Sequence, residues 1–342
     1  MTAAYRPSGS LEWLASKLGS VSSWSVIGTI SVEERSLSSI AELKRIGKLG
    51  VSAFFQIEPS LLRQPNRFRI STISKLAERQ REALAIAPCV DICHIELLCR
   101  ETKLISACLQ RLKLSKQNII IDISSMPKRF FFPLVALALR SGNFENVMVT
   151  YTSPAKYGDP LAEDPLPWDA LPMFGATDLQ PGKQKLIIGV GYQSLRLREI
   201  VEGADFSADN VELLFPVATN RGYLKNWEFV RQVYQELGPL PEASIKRVSA
   251  NNVSNVFDRL VAITNNGVYH SVLAPYGPKP VSLAMCLFGI WCQDMGVPVK
   301  IGYTQPQVYS DEYSKGQSLT PNGLPEVHAF CLRVEGRNLY EA

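Results

Sequence analysis

Two stretches of this chain repeat one pattern: residues 149–157 read VTYTSPAKY, and residues 301–309 read IGYTQPQVY. Both follow the frame apolar-x-Tyr-Thr-x-Pro-x-x-Tyr. This frame is too particular to result from composition alone. We therefore interpret it as the mark of a repeated structural unit.

A second pair of similar segments lies upstream of these two. Residues 119–129 read IIIDISSMPKR and run into the apolar stretch FFFPLVALAL, whereas residues 270–279 read HSVLAPYGPK and run into PVSLAMCLFGI. Each segment carries a Pro-Lys pair just before its apolar stretch. Because the two motifs recur in the same order at nearly the same spacing, we predict an internal duplication with the ligand between the two copies.

Length and composition set the broad class of the protein. A chain of 342 residues suggests about two domains. Hydrophobic residues make up 46% and charged residues 20%, as in ordinary globular proteins. The net charge of +4 is too small to indicate a surface built to coat nucleic acid or a membrane.

Three further observations favour a cytoplasmic protein that does not bind or span a membrane. The longest apolar runs, at 130–139 and 281–291, are too short to cross a bilayer. The first residues, MTAAYRPSGSLEWLASKLG, lack the pattern of a secretion signal. The seven cysteines are odd in number and lie mostly in apolar segments, which favours reduced thiols.

Strand and helix patterns alternate through both halves, which predicts parallel sheets covered by helices on both faces. We predict a Rossmann-like lobe at 1–152, an ordered crossover at 153–184 and a second such lobe at 185–342. In the first lobe, the predicted strands are 24–30, 51–57, 90–97, 117–123 and 146–152, and the predicted helices are 37–48, 70–85, 101–112 and 127–140. In the second lobe, the predicted strands are 185–191, 211–217, 245–249, 268–274 and 299–304, with an added edge strand at 327–334, and the predicted helices are 195–202, 224–237, 253–263 and 280–293.

The crossover is rich in proline, which rules out a regular helix or a central strand there. Its apolar side chains, Trp168, Leu171, Met173 and Phe174, indicate that it packs against other parts of the chain. We therefore expect an ordered connection instead of a disordered linker.

In doubly wound sheets, ligands bind beyond the carboxyl ends of the strands, where the strand order reverses. For a strand order of 3-2-1-4-5, this point lies between strands one and four. The loop after strand four carries the Pro-Lys pair in both lobes. A lysine at a helix N-terminus destabilises the helix by about 0.3–1 kcal/mol, because its charge is repelled by the positive end of the helix dipole. An anion that binds there removes this repulsion.

We therefore predict that these loops and the strand ends beside them bind phosphate groups, with the tyrosines stacking on a base or bonding a ribose. The alternative is that Glu33 or Glu34 pairs with Lys128 or Arg129 and that no ligand is involved. The predicted ligand-binding residues are Ser124, Ser125, Lys128, Arg129, Tyr151, Thr152, Gln193, Ser194, Arg196, Gly277, Lys279, Tyr303 and Thr304.

This arrangement resembles the CRISPR-associated Rossmann-fold sensors called CARF domains and their fused-duplicate relatives, the SAVED domains. The resemblance covers the two-lobe plan. This chain keeps the family's lysine before an apolar helix, but it lacks the glycine pair of the family's loop after strand four. It implies binding of a nucleotide or cyclic oligonucleotide, a role in bacterial antiviral defence and a separate effector protein. In a face-to-face pair of lobes one ligand would touch both lysine loops, whereas in a back-to-back pair it would not.

Two other functions remain open from the sequence. The first is an enzyme that hydrolyses phosphodiesters in nucleotides or nucleic acid, with Glu33, Glu34 and Lys128 as its centre and Asp122 as a further candidate acid. The second is a non-catalytic assembly subunit. We favour a binding protein without a cofactor over an enzyme, because no established catalytic motif is present.

Two weaker patterns are interpreted conservatively. Cys89, Cys93, His94 and Cys99 lack the spacing of a zinc site, so we predict buried thiols and no metal. A basic stretch is more often a solvated face than a nucleic-acid contact, although such a contact stays open. Its residues are Arg63, Arg67, Arg69, Lys75, Arg79 and Arg81.

Overall fold

The computed structural model describes residues 5–18, 20–58, 69–87, 90–158, 161–176, 178–180, 182–193, 196–202, 206–217 and 223–341. The α-helices are α1 (Leu11–Lys17), α2 (Ser38–Arg45), α3 (Arg69–Ile86), α4 (Glu101–Leu114), α5 (Lys128–Arg140), α6 (Leu197–Glu202), α7 (Tyr223–Leu237), α8 (Val253–Ile263) and α9 (Lys279–Asp294). The strands are β1 (Ser8–Ser10), β2 (Trp24–Ile30), β3 (Leu49–Glu58), β4 (Val90–Glu96), β5 (Asn118–Asp122), β6 (Asn146–Thr152), β7 (Lys156–Tyr157), β8 (Ala162–Pro165), β9 (Asp169–Ala170), β10 (Gln184–Gly189), β11 (Val211–Val217), β12 (Ile245–Ser249), β13 (His270–Pro275), β14 (Val299–Tyr303), β15 (Pro306–Tyr309), β16 (Ser314–Lys315), β17 (Val327–Val334) and β18 (Arg337–Asn338).

The chain divides into two compact units. Unit 1 consists of Met1–Asp164 and Pro306–Leu339, and unit 2 consists of Pro165–Gln305 and Tyr340–Ala342. The predicted α/β class with two doubly wound lobes is confirmed, since each unit contains its own mainly parallel sheet flanked by helices.

The parallel strands of unit 1 lie in the order β4-β3-β2-β5-β6, which is 3-2-1-4-5 along the chain. The central strands are apolar on both faces: Ile119, Ile120 and Ile121 are all fully buried. Such strands need helices on both sides, which explains why α-helices follow them in the sequence. The order reverses between β2 and β5, so the carboxyl ends of these strands form the switch point of unit 1.

The parallel strands of unit 2 lie in the order β12-β11-β10-β13-β14, which is again 3-2-1-4-5. Its switch point lies between β10 and β13. The two units therefore share one strand order, as the repeated motifs predict.

The predicted position of strand 327–334 in the second lobe is wrong. This strand, β17, pairs antiparallel with β6 in unit 1, where Phe330 lies opposite Val149. Ala329, Phe330 and Leu332 are buried there, so the strand completes the core of unit 1, and in the sheet it lies between β6 and β1. The predicted boundaries of 1–152 and 185–342 therefore differ from the observed units, because the chain returns to unit 1 after β14.

In its described part, the crossover supplies the edge strand of the second sheet. Its strand β9 pairs antiparallel with β14, and the Leu171 amide donates to the Ile301 carbonyl at 2.8 Å. The Ile301 amide in turn donates to the Phe174 carbonyl at 3.0 Å, and the Phe174 ring is fully buried. Leu171 and Phe174 of the crossover are therefore buried, whereas Trp168 and Met173 are partly exposed.

Candidate functional site at the switch points

Both Pro-Lys pairs occupy equivalent positions in the fold. α5 begins at Lys128 and has Pro127 at its N-cap, and α9 begins at Lys279 and has Pro278 at its N-cap. Each helix directly follows strand four of its sheet. We call residues 124–128 the first lysine loop and residues 276–279 the second lysine loop.

The first lysine loop is fixed by hydrogen bonds to the ends of three strands. The hydroxyl groups of Thr29 and Ser125 lie 2.7 Å apart, which links the loop to β2. The Ser124 amide donates to Asp122 Oδ1 at 2.8 Å, and the Thr152 amide donates to Ser124 Oγ at 2.9 Å. The loop is therefore held in one geometry at the switch point.

The start of each helix has the features of an anion site. Proline has no side-chain acceptor, and no side-chain hydrogen bond caps either helix. The N-terminal end of a helix carries partial positive charge, and Lys128 and Lys279, both partly buried, add positive charge there when they are protonated. An anion bound between the helix end and the lysine would relieve this repulsion.

Burial changes the protonation of two groups at the first lysine loop. It lowers the pKa of Lys128 to about 7, since an ammonium ion loses hydration there. It also raises the pKa of Asp122, although hydrogen bonds from Ser124 and Ser39 and the charge of Arg35 oppose this change. Asp122 is only 3% exposed, so the carboxyl group lies inside the unit and away from solvent.

Glu33, one of the two candidate catalytic residues, lies in a buried ion pair. Its Oε2 accepts from Arg35 Nε at 3.0 Å and from Arg35 Nη2 at 2.7 Å, and it also accepts from the Ser314 hydroxyl. Glu33 thus pairs with Arg35 and not with the lysine loop, and Arg129 Nη2 donates to the Cys99 carbonyl at 2.8 Å. Glu34, the other candidate, is exposed.

The role of Arg35 is not visible in the sequence, which shows it only as a cation beside two glutamates. Its guanidinium is 1% exposed, and its Nη1 donates to the Thr152 carbonyl at 2.9 Å. Burial alone would lower the pKa of Arg35, but the adjacent Glu33 carboxylate holds the pKa above its usual value. Arg35 therefore stays charged and bonds the loop after β2 to the end of β6.

The residues at the ends of the fifth strands are mostly enclosed by protein. Tyr151 is 2% exposed and its hydroxyl lies 3.3 Å from that of Tyr157, while Thr152 is fully buried. In unit 2, Thr304 is fully buried and its hydroxyl lies 3.0 Å from that of Tyr276, whereas Tyr303 is partly exposed. Contact of these residues with a ligand stays a prediction, and Tyr303 is the most accessible of them.

The second lysine loop is built differently from the first. A Cβ at Gly191 would overlap the carbonyl oxygen of Tyr276, and one at Gly277 would lie 3.0 Å from the Val190 carbonyl oxygen. The Tyr276 ring packs between those of Phe229 and Tyr303, at centroid distances of 5.7 and 5.8 Å. In unit 2, the loops after strands one and four therefore touch through their backbones, and the glycines make this approach possible.

The predicted residues after β10 are only partly described. Gln193 is partly exposed, and Ser194 lies outside the described residues. Arg196 is exposed, and its Nη1 donates to Glu199 Oε1 at 2.5 Å. Glu199 also accepts the Trp168 amide at 2.9 Å, and these two bonds lower the pKa of Glu199.

Comparison with known proteins gives no family for this chain. No family model matches it, and no curated protein matches it. Among solved structures, it is similar to the crystal structure of a universal stress protein from Archaeoglobus fulgidus DSM 4304, with 7% sequence identity and a TM-score of 0.24. That likeness covers 84% of this chain and 97% of the other chain.

Two cations of the basic stretch on α3 pair with carboxylates. Lys75 Nζ lies 3.0 Å from Asp311 Oδ2, and Arg79 pairs with Glu82. Arg63 and Arg67 lie outside the described residues, as does the side chain of Arg69. The two paired cations offer little free charge to a nucleic-acid backbone, whereas Arg81 is exposed and its Nε donates to the Ala77 carbonyl at 3.4 Å.

The prediction of buried thiols near the third strand holds for Cys99 but is wrong for Cys93, which is partly exposed. Cys108 on α4 is also buried, and burial raises the pKa of Cys108 to about 12, which keeps that thiol neutral. Within the described ranges, no three His, Cys, Asp or Glu side chains come together as metal ligands, and Cys89 lies outside those ranges.

No helix in the described part of the chain is long and apolar enough to cross a bilayer.

Proposed function

We propose that this protein binds a nucleotide or cyclic oligonucleotide at its lysine loops and signals this binding to a separate effector protein. One observation carries the proposal: at the same topological position in both units, a Pro-Lys pair begins the helix that follows strand four. The resemblance to CARF and SAVED domains adds the cyclic ligand and a role in antiviral defence.

The physical support is the repeated placement of a cation where a helix end is already positive. A lysine at an exposed helix N-terminus opposes the helix dipole and costs about 0.3–1 kcal/mol. A phosphate group would accept hydrogen bonds from the helix end and pair with the lysine. Its negative charge would turn the repulsion between the lysine and the helix end into attraction of both to the phosphate. In unit 1, hydrogen bonds from three strand ends already hold the loop, which reduces the entropy lost on binding.

Substitution of either lysine tests the proposal. We expect Lys128→Ala and Lys279→Ala each to weaken ligand binding about 10–100-fold, because a hydrogen bond to a charged group contributes about 1.5–3 kcal/mol and about 1.4 kcal/mol corresponds to tenfold. Calorimetry with a panel of mononucleotides, dinucleotides and cyclic oligonucleotides would measure this effect.

The matched control is Lys113→Ala, which removes an exposed lysine from the last turn of α4 and changes the net charge equally. It should leave the affinity unchanged. Failure of the native chain to bind any member of the panel would contradict the proposal, as would equal losses in all three variants.

The lowered pKa of Lys128 makes binding depend on pH. Above its pKa of about 7, the free protein carries a neutral amine, and a bound phosphate would restore the proton. We therefore expect affinity to fall by up to about tenfold per pH unit above pH ~7. Titration of a phosphodiester ligand, which keeps its charge over this range, would show the fall.

Lys128→Arg provides the control for this dependence, since arginine remains charged at every pH used. The affinity of this variant should stay level between about pH 7 and 9. An equal fall in the arginine variant would show that another group titrates.

A further inference from the structure

A segment of the C-terminal part of the chain lies across the carboxyl end of the first sheet. Residues 306–326, which we call the strap, belong to unit 1 and carry β15 and β16. β15 pairs with β8 and β16 pairs with β7, both of which follow β6. The strap thus covers the side of the switch point where β6 ends.

Polar side chains hold the strap to unit 1 at three places. Asp311 accepts from Lys75 Nζ at 3.0 Å and also from the Ser71 hydroxyl. Ser314 donates to Glu33, and the Ser38 hydroxyl donates to Gln317 Oε1 at 2.5 Å. The Tyr313 ring of the strap also packs edge-on against the Tyr157 ring, at a centroid distance of 6.2 Å. The strap side chains Leu319 and Leu324, by contrast, are 55% and 37% exposed. A surface segment held by few apolar contacts opens locally at a lower free energy than the core strands.

The central strap contact is continuous with the first lysine loop. Glu33 Oε2 accepts from both Ser314 and Arg35, and Arg35 donates to the Thr152 carbonyl. The amide of the same Thr152 donates to Ser124 Oγ in the loop. A chain of hydrogen bonds therefore runs from Ser314 through Glu33, Arg35 and Thr152 to Ser124.

We propose that Arg35 is a positioning residue that couples docking of the strap to the geometry of the first lysine loop. When the strap is docked, Ser314 and Arg35 share the Glu33 carboxylate, and Arg35 holds Thr152 where it can bond the loop. When the strap leaves, Glu33 loses the Ser314 hydroxyl as a donor, and the ion pair of Glu33 and Arg35 can change its position. The coupling deepens the proposed function, since it gives ligand binding at the loop a moving segment that an effector protein could recognise.

Hydrogen exchange in the ligand-free chain tests the coupling without requiring any ligand. The reporters are amides that bond the strap to unit 1: Gly158 to the Tyr313 carbonyl at 3.0 Å, and Ser318 to the Ser153 carbonyl at 2.8 Å. We expect Ser124→Ala, at the far end of the network, to speed exchange at both amides by about fivefold or more, as expected for loss of one hydrogen bond. Amides in the centre of β2 and β3 should exchange as in the native chain.

Arg35→Lys is the second variant, because lysine keeps the charge beside Glu33 but cannot also reach the Thr152 carbonyl with a second planar donor. It should reproduce the effect of Ser124→Ala. The matched control is Ser115→Ala, which removes a hydroxyl that bonds only the Arg111 carbonyl at the end of α4. That variant should leave the strap amides unchanged.

Two outcomes would overturn the coupling. One is unchanged exchange of the strap amides in Ser124→Ala, and the other is an equal increase at all amides of unit 1, which would mean general destabilisation. Because these experiments contain no ligand, the coupling can hold even if no nucleotide binds. Conversely, nucleotide binding with an uncoupled strap would sustain the proposed function and refute this inference.

Discussion

A chain that ends at Gln305 is expected to lose the folded state of unit 1. The truncation removes β17, which covers β6, and leaves a row of unpaired backbone groups at that edge. It also removes Val327, Phe330 and Leu332 from the core. Burial of each such side chain contributes about 1.5–3 kcal/mol, so the loss is comparable with the whole stability of a typical domain, about 5–15 kcal/mol.

Arg333 adds to this loss. Its Nη1 donates to the carbonyls of Ser141 at 2.7 Å and Phe144 at 3.1 Å, just beyond the end of α5. Without β17 these carbonyls lose a buried charged donor, and the last turn of α5 loses its contact with the sheet edge. The helix that begins at Lys128 would therefore be weakened at its other end.

Limited proteolysis with mass spectrometry would measure this effect through cleavage within β5 and β6. The control is a chain that ends at Tyr340, which keeps every strand of unit 1 and should resist cleavage like the native chain. Equal resistance of the chain that ends at Gln305 would show that β17 is dispensable.

The second large effect is expected from Gly191→Ala in unit 2. The added Cβ would overlap the Tyr276 carbonyl oxygen, which is backbone and cannot rotate away. The Tyr276 side chain is fixed by two rings and by the Thr304 hydroxyl, so the loops after β10 and β13 must separate. Overpacking of this kind costs about 1–3 kcal/mol.

Thermal unfolding would measure this loss as a fall in midpoint of roughly 2–12 °C, given about 2–4 °C per kcal/mol for a unit of this size. Gly175→Ala is the matched control in the same unit, since its nearest neighbour would be the Ala170 Cβ at an ordinary 3.6 Å. It should unfold at nearly the native temperature. A native-like midpoint for Gly191→Ala would mean that the two loops are not packed together.

Much of the secondary structure could be predicted because local sequence determines it. The strand predicted at 146–152 is observed as Asn146–Thr152, and the helix predicted at 127–140 begins one residue later, at Lys128. Apolar runs bounded by proline and polar residues carry this information within a few residues of each position. The Pro-Lys pairs could be placed at the switch points for the same reason.

The surroundings of Glu33 could not be predicted. Its neighbours in the sequence suggested an acid–base set, but its partners include Ser314, which is 281 residues away. Arg35 likewise bonds Thr152, which is 117 residues away. No local pattern encodes such contacts, because they depend on where the strap returns to unit 1.

The sequence by itself determined the repeat, the alternation of strands and helices in both units and the position of each lysine at the start of its helix. Only the tertiary structure decided which sheet receives the added strand β17. This strand buries side chains on both of its faces, and its backbone hydrogen bonds would suit either sheet. β17 lies beside β6 because its side chains pack against the core of unit 1. Most residues of that core are far from β17 in the sequence, so this packing arises only in the folded chain.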